Sequence, residues 1–188
     1  MAAAEQPFLS DVQTLRARAR KHIEQGPITA NYEGDQQTIL KLLNNALATE
    51  IVCVLRYRRH YFMADGLLAE AVKKEFLVHA QEEQGHADQI CERIVQLGGA
   101  PDLNPEGLAS RSHAEYKEGA DLTDMIQEDL IAERIAIESY REIINWIGTR
   151  DTTTRRLFES ILAVEEEHAD ELRSMLEDVS AYSAARKP

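Results

Sequence analysis

The chain has 188 residues, 44% hydrophobic and only 6% aromatic, and this length suffices for one domain with a buried core. Its formal net charge of −12 opposes general nucleic-acid binding. Its two cysteines, Cys53 and Cys91, form no Cys-x-x-Cys motif, which argues against a disulfide framework, a rubredoxin-type iron site or a structural zinc module. With no signal peptide and no apolar run approaching membrane-spanning length, we expect a cytoplasmic protein without membrane contacts.

The spacing of the apolar residues predicts an all-α chain. An N-terminal arm, residues 1–35, contains a short helix over about 8–25 that ends at Gly26 and Pro27. A bundle, residues 36–180, and a tail, residues 181–188, follow. The bundle consists of four long helices, predicted over about 36–63, 67–97, 121–147 and 152–179.

The connections between these helices predict the topology. The first and third connections are short, so each joins an antiparallel pair. Residues 98–120 contain four glycines and two prolines, which exclude a continuous helix there. If extended, this segment spans roughly 70 Å, enough to run the length of the bundle. A bundle of four helices with one such crossover has the ferritin-like topology.

Six polar residues occupy positions where a bundle usually places leucine. The pattern Glu-x-x-His occurs on the second and fourth long helices, and a lone glutamate lies on the apolar stripe of the first and third. All four glutamates lie 15 to 18 residues from the turn that joins their helices, so we expect them at similar heights. Residues at i and i+3 share a helix face. The six are Glu50, Glu83, His86, Glu133, Glu165 and His168.

The charge of this set predicts a dinuclear metal site. Burying four ionised carboxylates costs roughly several kcal/mol for each, unless they are protonated or joined by cations. Two divalent ions cancel the charge of the four. Carboxylate and imidazole ligands together suit iron or manganese, whereas oxygen ligands alone favour calcium or magnesium and thiolates favour zinc. The alternative is that these glutamates lie on solvated helix faces, since Glu is rarely buried.

The ligand pattern resembles that of the bacterioferritin branch of the ferritin-like di-iron carboxylate proteins, over about residues 36–180. The resemblance implies that Glu83 and Glu165 bridge two metal ions. It also implies two terminal pairs, Glu50 with His86 and Glu133 with His168. Tyr57, two turns beyond Glu50, matches a family tyrosine that donates a hydrogen bond to a bridging glutamate; its alternative role is that of an ordinary core aromatic residue.

Two departures from the family pattern bear on cofactors and assembly. Haem-binding bacterioferritins carry a methionine immediately after the bridging glutamate of the second helix, and this chain has Gln84, so we expect no haem. Only 20 residues follow His168, too few for the fifth helix of the 24-subunit shells. The chain in this respect resembles the 12-subunit bacterioferritin-related Dps-like proteins, and a 12-subunit cage is favoured over a 24-subunit one.

Other signals in the sequence are weaker. The basic run in the arm, residues 16–21, suits DNA phosphates, but a solvated helix face is the favoured interpretation. His79, one turn before Glu83, is interpreted as a core histidine in preference to a transit ligand. Cys53 and Cys91 are interpreted as small buried hydrophobic residues. His60 belongs to no ligand pattern.

The resemblance implies a ferroxidase that oxidises Fe²⁺ with O₂ or H₂O₂ at this site and stores Fe³⁺ as mineral inside a hollow homo-oligomeric shell, which would also limit oxidative stress. One alternative is a manganese or iron catalase or peroxidase that stores no iron. Another, non-enzymatic, is a helical partner-binding bundle whose glutamates are exposed.

Overall fold

The computed structural model describes residues 10–185, with side chains through residue 182. The described residues contain six α-helices and no strand, which confirms the all-α prediction. The helices are α1 (Val12–Ala19), α2 (Gln36–Met63), α3 (Ala69–Gln96), α4 (Pro105–Arg111), α5 (Leu122–Ile147) and α6 (Thr152–Ala185). The four long helices α2, α3, α5 and α6 lie where the sequence predicts them.

Aspartate side chains fix where α2 and α5 begin. The Asp35 carboxylate accepts a hydrogen bond from the Thr38 amide at 3.2 Å, and Asp121 accepts one from the Asp124 amide at 3.0 Å. Each bond satisfies an amide that has no partner within the helix. Gly148, with a φ of 55°, ends α5 in a backbone conformation that residues with a Cβ rarely adopt.

The helices differ from the prediction in three places. The helix expected over 8–25 is divided into α1 and a 3₁₀ turn, Ile23–Gln25, and residues 8 and 9 lie outside the described residues. The crossover contains the short helix α4, capped by the Asn104 side chain. Helix α6 continues to Ala185 instead of ending near residue 179, because residues 180–185 are alanine, serine and tyrosine and none of them breaks a helix.

The long helices form two hairpins that pack against each other. Helix α2 packs on α3 and α5 on α6, with further contacts from α2 to α5 and from α3 to α6. Hydrogen bonds join Tyr57 to Glu133 and Tyr140 to Glu50, so α2 and α5 run antiparallel. Helices α3 and α5 are therefore parallel, and residues 97–121 cross the length of the bundle. This is the predicted ferritin-like topology.

The core is divided into two apolar clusters with a polar layer between them. The first cluster lies at the end where α3 and α5 finish, and includes Leu43, Ile90, Ile144, Phe158 and Ile161. The second lies toward the α2–α3 turn, and includes Phe76, Ile126, Leu172 and Val179. Water is kept from the layer between them, so charged groups there interact in a medium of low polarity.

Helix α2 corrects the expectation that no run approaches membrane-spanning length. Among the described helices it alone is long and apolar enough to cross a membrane, by length and composition. More than half of its apolar window, 56%, is buried inside the bundle, and Glu50 lies at its centre. The core helix of a bundle meets the same criteria because its apolar stripe faces three neighbouring helices.

The arm is attached to the bundle near the start of α6. The Tyr32 hydroxyl donates to Asp151 Oδ2 at 2.8 Å, and the Arg93 guanidinium donates to both carboxylate oxygens of Asp151. Asp151 also accepts the Thr154 amide at 2.9 Å, which caps α6. By contrast, α1 has no buried residue, and the basic run is divided between this solvated helix and the turn that follows it.

A buried ion pair holds the crossover against α2 and α5. Arg56 Nε donates to Asp129 Oδ1 at 2.8 Å, and His60 Nδ1 lies 2.8 Å from Asp129 Oδ2. Arg56 also donates to the Glu115 carbonyl at 2.9 Å, and His60 Nε2 lies 3.1 Å from the Lys117 carbonyl. The side chains of Arg56, His60 and Asp129 are at most 1% exposed. This network therefore connects three segments of the chain without access to water.

Replacing Arg56 by alanine is expected to lower the free energy of unfolding by about 3–5 kcal/mol, because Asp129 is left buried without its main cation. Urea unfolding followed by circular dichroism measures this loss. Arg59→Ala is the matched control: Arg59 is 31% exposed and pairs with Glu118, so its loss should cost about 0–1 kcal/mol. Equal losses in the two variants would contradict the prediction.

Candidate metal centre

The structure brings all six predicted ligands together in the polar layer. They form two overlapping groups, and in each group the ligand atoms lie within 4.8 Å of one another. Glu83 and Glu165 belong to both groups. The groups are Glu50, Glu83, His86 and Glu165, and Glu83, Glu133, Glu165 and His168. Each long helix contributes one glutamate, and α3 and α6 add one histidine each.

These six side chains are buried, in contrast to the alternative in which they face solvent. The four glutamates are at most 1% exposed, His168 is 1% exposed and His86 is 5% exposed. His86 Nδ1 lies 3.2 Å from Glu50 Oε2 and 3.1 Å from Glu165 Oε1, and His168 Nδ1 lies 3.5 Å from Glu83 Oε1. The carboxylates therefore converge on the two imidazoles.

Several ligand atoms lack a hydrogen-bond partner. Among the described residues, these are Glu83 Oε1, Glu133 Oε2, both carboxylate oxygens of Glu165 and His168 Nδ1. Leaving one buried polar atom unpaired costs about 1–3 kcal/mol, and more for a charged group. Five such atoms in one layer have the chemistry of a carboxylate and imidazole metal site, so the residues present fit two divalent cations.

A tyrosine supports each of the two lone glutamates. Tyr57 donates a hydrogen bond to Glu133 Oε1, and Tyr140 donates one to Glu50 Oε1. Each tyrosine lies seven residues after the glutamate of its own helix and bonds the glutamate of the facing helix. Side chains tilt toward the N-terminus of their helix, so on antiparallel helices the tyrosine and the opposite glutamate lean toward each other.

This arrangement corrects the expected partner of Tyr57. The resemblance implied a hydrogen bond to a bridging glutamate, either Glu83 or Glu165, whereas Tyr57 contacts Glu133, which the same resemblance makes a terminal ligand. The role of Tyr140 was missed, although its spacing from Glu133 repeats that of Tyr57 from Glu50.

The protonation of the site follows from burial and crowding. Burial raises the pKa of Glu50 and Glu133 well above the usual value, and the neighbouring carboxylates Glu83 and Glu165 add to this. Burial also opposes ionisation of Glu83, but the adjacent imidazoles of His168 and His86 outweigh it, and its pKa is lowered.

The pKa values of the two ligand imidazoles are also raised. Burial disfavours their charged forms, yet the attraction of the carboxylates close to each ring outweighs it, Glu165 contributing most. They raise the pKa of His86 to about 12 and that of His168 to about 11. Without metal, protons on these groups supply the positive charge that the glutamates require.

Further residues connect the site to the surface. His168 Nε2 lies 2.8 Å from Glu82 Oε2, a contact that orients the ring with Nδ1 toward the centre. His79 is fully buried and stacks on His168 with 3.9 Å between ring centroids. Burial lowers the pKa of His79 to about 3, so the ring is neutral. Partners lie at both its nitrogens, as expected of a core histidine.

The sequence suggested that both cysteines are buried, and this holds for Cys53 but not for Cys91. Both are free thiols; Cys53 is buried, and Cys91 is partly exposed. Burial raises the pKa of the Cys53 thiol well above its usual value, which makes it a poor nucleophile.

Comparison with known proteins identifies the family of this chain. A model of the ferritin-like domain family matches residues 40–181. The bacterioferritin of Mycobacterium avium is 32% identical over 158 residues, which span 81% of this chain and 94% of that protein.

Two solved structures are similar over most of the chain. The bacterioferritin-related protein of Bacteroides fragilis, a dodecameric thioferritin, is 30% identical, with a TM-score of 0.78 over 83% of this chain and 94% of its own. A ferritin-like di-iron carboxylate protein of Bacillus anthracis is 25% identical, with a TM-score of 0.67 over 76% and 97% of the two chains. The chain therefore belongs to the ferritin-like family, as a bacterioferritin-like member of the di-iron carboxylate proteins.

Proposed function

We propose that this protein is a ferroxidase that binds two Fe²⁺ ions as substrate and oxidises them as a pair. The observation that carries the proposal is the pair of overlapping ligand groups with Glu83 and Glu165 in common, in which five buried ligand atoms have no hydrogen-bond partner. Similarity to bacterioferritins and to a di-iron carboxylate protein supports iron as the metal, and manganese fits the same ligand set.

Each residue has a role in this proposal. Glu50 with His86 hold one ion and Glu133 with His168 the other, while Glu83 and Glu165 contact both. Tyr140 and Tyr57 fix the two terminal carboxylates by donating hydrogen bonds to them. Gln84 stands where a haem-binding chain has methionine, so we propose that haem is not bound.

The pairing of the ions determines the chemistry. Each Fe²⁺ gives one electron, so the pair supplies the two electrons that reduce O₂ to H₂O₂ or H₂O₂ to water. Holding both ions in one buried layer lets this transfer proceed without release of one-electron oxygen species. The two apolar clusters exclude bulk water from the layer.

Stopped-flow mixing tests this function. Protein loaded with Fe²⁺ without oxygen is mixed with O₂ or with H₂O₂, and ferric absorbance is followed. We expect a fast phase that saturates at about two Fe²⁺ per subunit. Disproportionation of H₂O₂ by the manganese-loaded protein, with no uptake of iron, would instead establish the catalase alternative.

We also propose that the protein assembles into a hollow 12-subunit cage that stores the oxidised iron. The similar structure from Bacteroides fragilis is dodecameric, and this chain has exposed apolar side chains on α2 and the following turn. Leu55 and Phe62, 51% and 67% exposed, lie seven residues apart on one face of α2, and Met63 and Leu67 extend the patch. The net charge of −12 suits a shell that collects cations.

Light scattering checks the assembly. With chains of 21.2 kDa, a 12-subunit cage has a mass of about 250 kDa and a 24-subunit cage about 510 kDa. Replacing both Leu55 and Phe62 by glutamate is expected to dissociate the cage, because it places charge in a desolvated interface. Val95→Glu, at an exposed site on α3, is the control and should keep the native mass. An unchanged mass in the double variant would contradict this interface.

A further inference from the structure

A second cluster of metal-ligating side chains lies beside the dinuclear centre, on α3 and α6. His79 Nε2 is 2.9 Å from Glu171 Oε2 and 3.9 Å from Glu75 Oε1. The ligand atoms of the three residues lie within 4.8 Å of one another. The imidazole is fully buried, whereas the side chains of Glu75 and Glu171 are 33% and 41% exposed. The cluster therefore has one buried nitrogen ligand and two oxygen ligands that reach solvent.

The direction of the neighbouring hydrogen bonds makes His79 Nε2 a ligand. The single proton of Tyr57 is donated to Glu133. The Tyr57 oxygen can then only accept, so His79 Nδ1, at 3.2 Å, must carry the proton of the neutral ring. Nε2 is left with a lone pair that faces two carboxylates. A cation between these three groups satisfies them all.

We propose that Glu75, His79 and Glu171 form a third site for a divalent cation, through which metal ions pass to the dinuclear centre. The direction of transfer, toward the dinuclear centre, rests on the proposed ferroxidase function. His79 also lies in a group with Glu133 and His168 whose ligand atoms are within 4.8 Å of one another. The imidazole of His79 therefore lies between the outer site and the dinuclear centre.

The ligand set defines the cations that this third site takes. One imidazole and two carboxylates suit first-row transition ions such as Mn²⁺, Fe²⁺ and Zn²⁺ better than Ca²⁺ or Mg²⁺. Because both carboxylates are partly solvated, the site gains less from charge neutralisation than the buried centre and exchanges its ion more readily. Weak binding close to a tight site is what transfer requires.

Metal stoichiometry tests the third site without any measurement of oxidation. The assembled protein is dialysed against Zn²⁺ or Mn²⁺ and the bound metal is counted, and crystals soaked in the same ion locate it by anomalous diffraction. We expect about three ions per subunit in the native protein and about two in Glu75→Gln/Glu171→Gln. The control, Glu70→Gln/Asp178→Asn, removes the same charge from exposed positions on the same two helices and should keep three.

The outcomes separate this proposal from the proposed function. Equal stoichiometry in the native protein and in Glu75→Gln/Glu171→Gln, or no anomalous peak beside His79, overturns the third site and leaves the dinuclear centre intact. A single ion that is lost in Glu75→Gln/Glu171→Gln but kept in Glu83→Ala overturns the dinuclear centre and keeps the third site. Loss of the third ion in the exposed control pair as well would show that net charge alone holds it, and would also overturn the proposal.

Discussion

Replacing Glu83 by alanine is expected to abolish the fast oxidation of Fe²⁺, with a fall of at least about 100-fold in the rate of the first phase. Glu83 belongs to both ligand groups, so its loss removes an oxygen ligand from each ion. The two ions are then no longer held in one unit, and the two-electron reduction of the oxidant loses its paired donors. Stopped-flow absorbance at saturating Fe²⁺ measures the rate, and the metal content of each variant is measured beside it.

Two variants separate this effect from a change in folding. Glu83→Gln keeps the shape of the side chain and one oxygen but removes the charge, and should also lose the fast phase. Glu92→Ala removes an exposed carboxylate from the same helix and should oxidise iron at the native rate. Fast oxidation by Glu83→Ala, with native stoichiometry, would show that the iron is oxidised elsewhere.

The site was largely predictable because its residues violate the pattern of a helical core. An apolar stripe specifies a buried face, and a glutamate on that stripe in each of four helices requires a positive partner wherever the helices meet. The distances from the turns place the four at one height without knowledge of the packing. The ferritin-like topology followed from one further fact, the length of the segment between α3 and α5.

The residues around the ligands were harder to predict, since their partners depend on the orientation of neighbouring helices. The Tyr57 hydroxyl reaches Glu133 because α2 and α5 are antiparallel, and spacing along α2 alone cannot show this. Asp129 resembles a surface acid in a charged helix until Arg56 and His60 are placed against it. His79 fits the apolar stripe of α3, and only the packing of α6 brings Glu171 to it.

Metal binding is expected to release protons and to strengthen steeply as the pH rises. With pKa values raised to about 12 and 11, His86 and His168 are protonated at neutral pH, and the raised pKa values of Glu50 and Glu133 favour their neutral forms. Metal ligation requires neutral imidazoles and ionised carboxylates. The affinity for Mn²⁺ or Zn²⁺ should therefore rise about tenfold per pH unit for each proton released.

The same linkage determines how the stability of the metal-free protein changes with pH. A group whose pKa is raised on folding stabilises the fold fully below its unfolded pKa, and the contribution is lost as the pH rises toward the folded value. For His86 and His168 the loss begins near 6.5, and for Glu50 and Glu133 near 4.5. Glu83, with a lowered pKa, acts in the opposite sense only as the pH falls below about 4.5.

Between pH 5 and about pH 9, the metal-free protein should therefore lose stability while metal affinity increases, so the gain in melting temperature on adding Mn²⁺ should grow with pH. Calorimetric titrations in buffers with different ionisation enthalpies count the protons released. His86→Gln should release about one proton fewer per subunit, since the amide does not titrate. Binding that is independent of pH, or releases no proton, would contradict the inference that protons occupy the place of the metal charge. It would also leave the convergence of four carboxylates in one buried layer without a balancing charge.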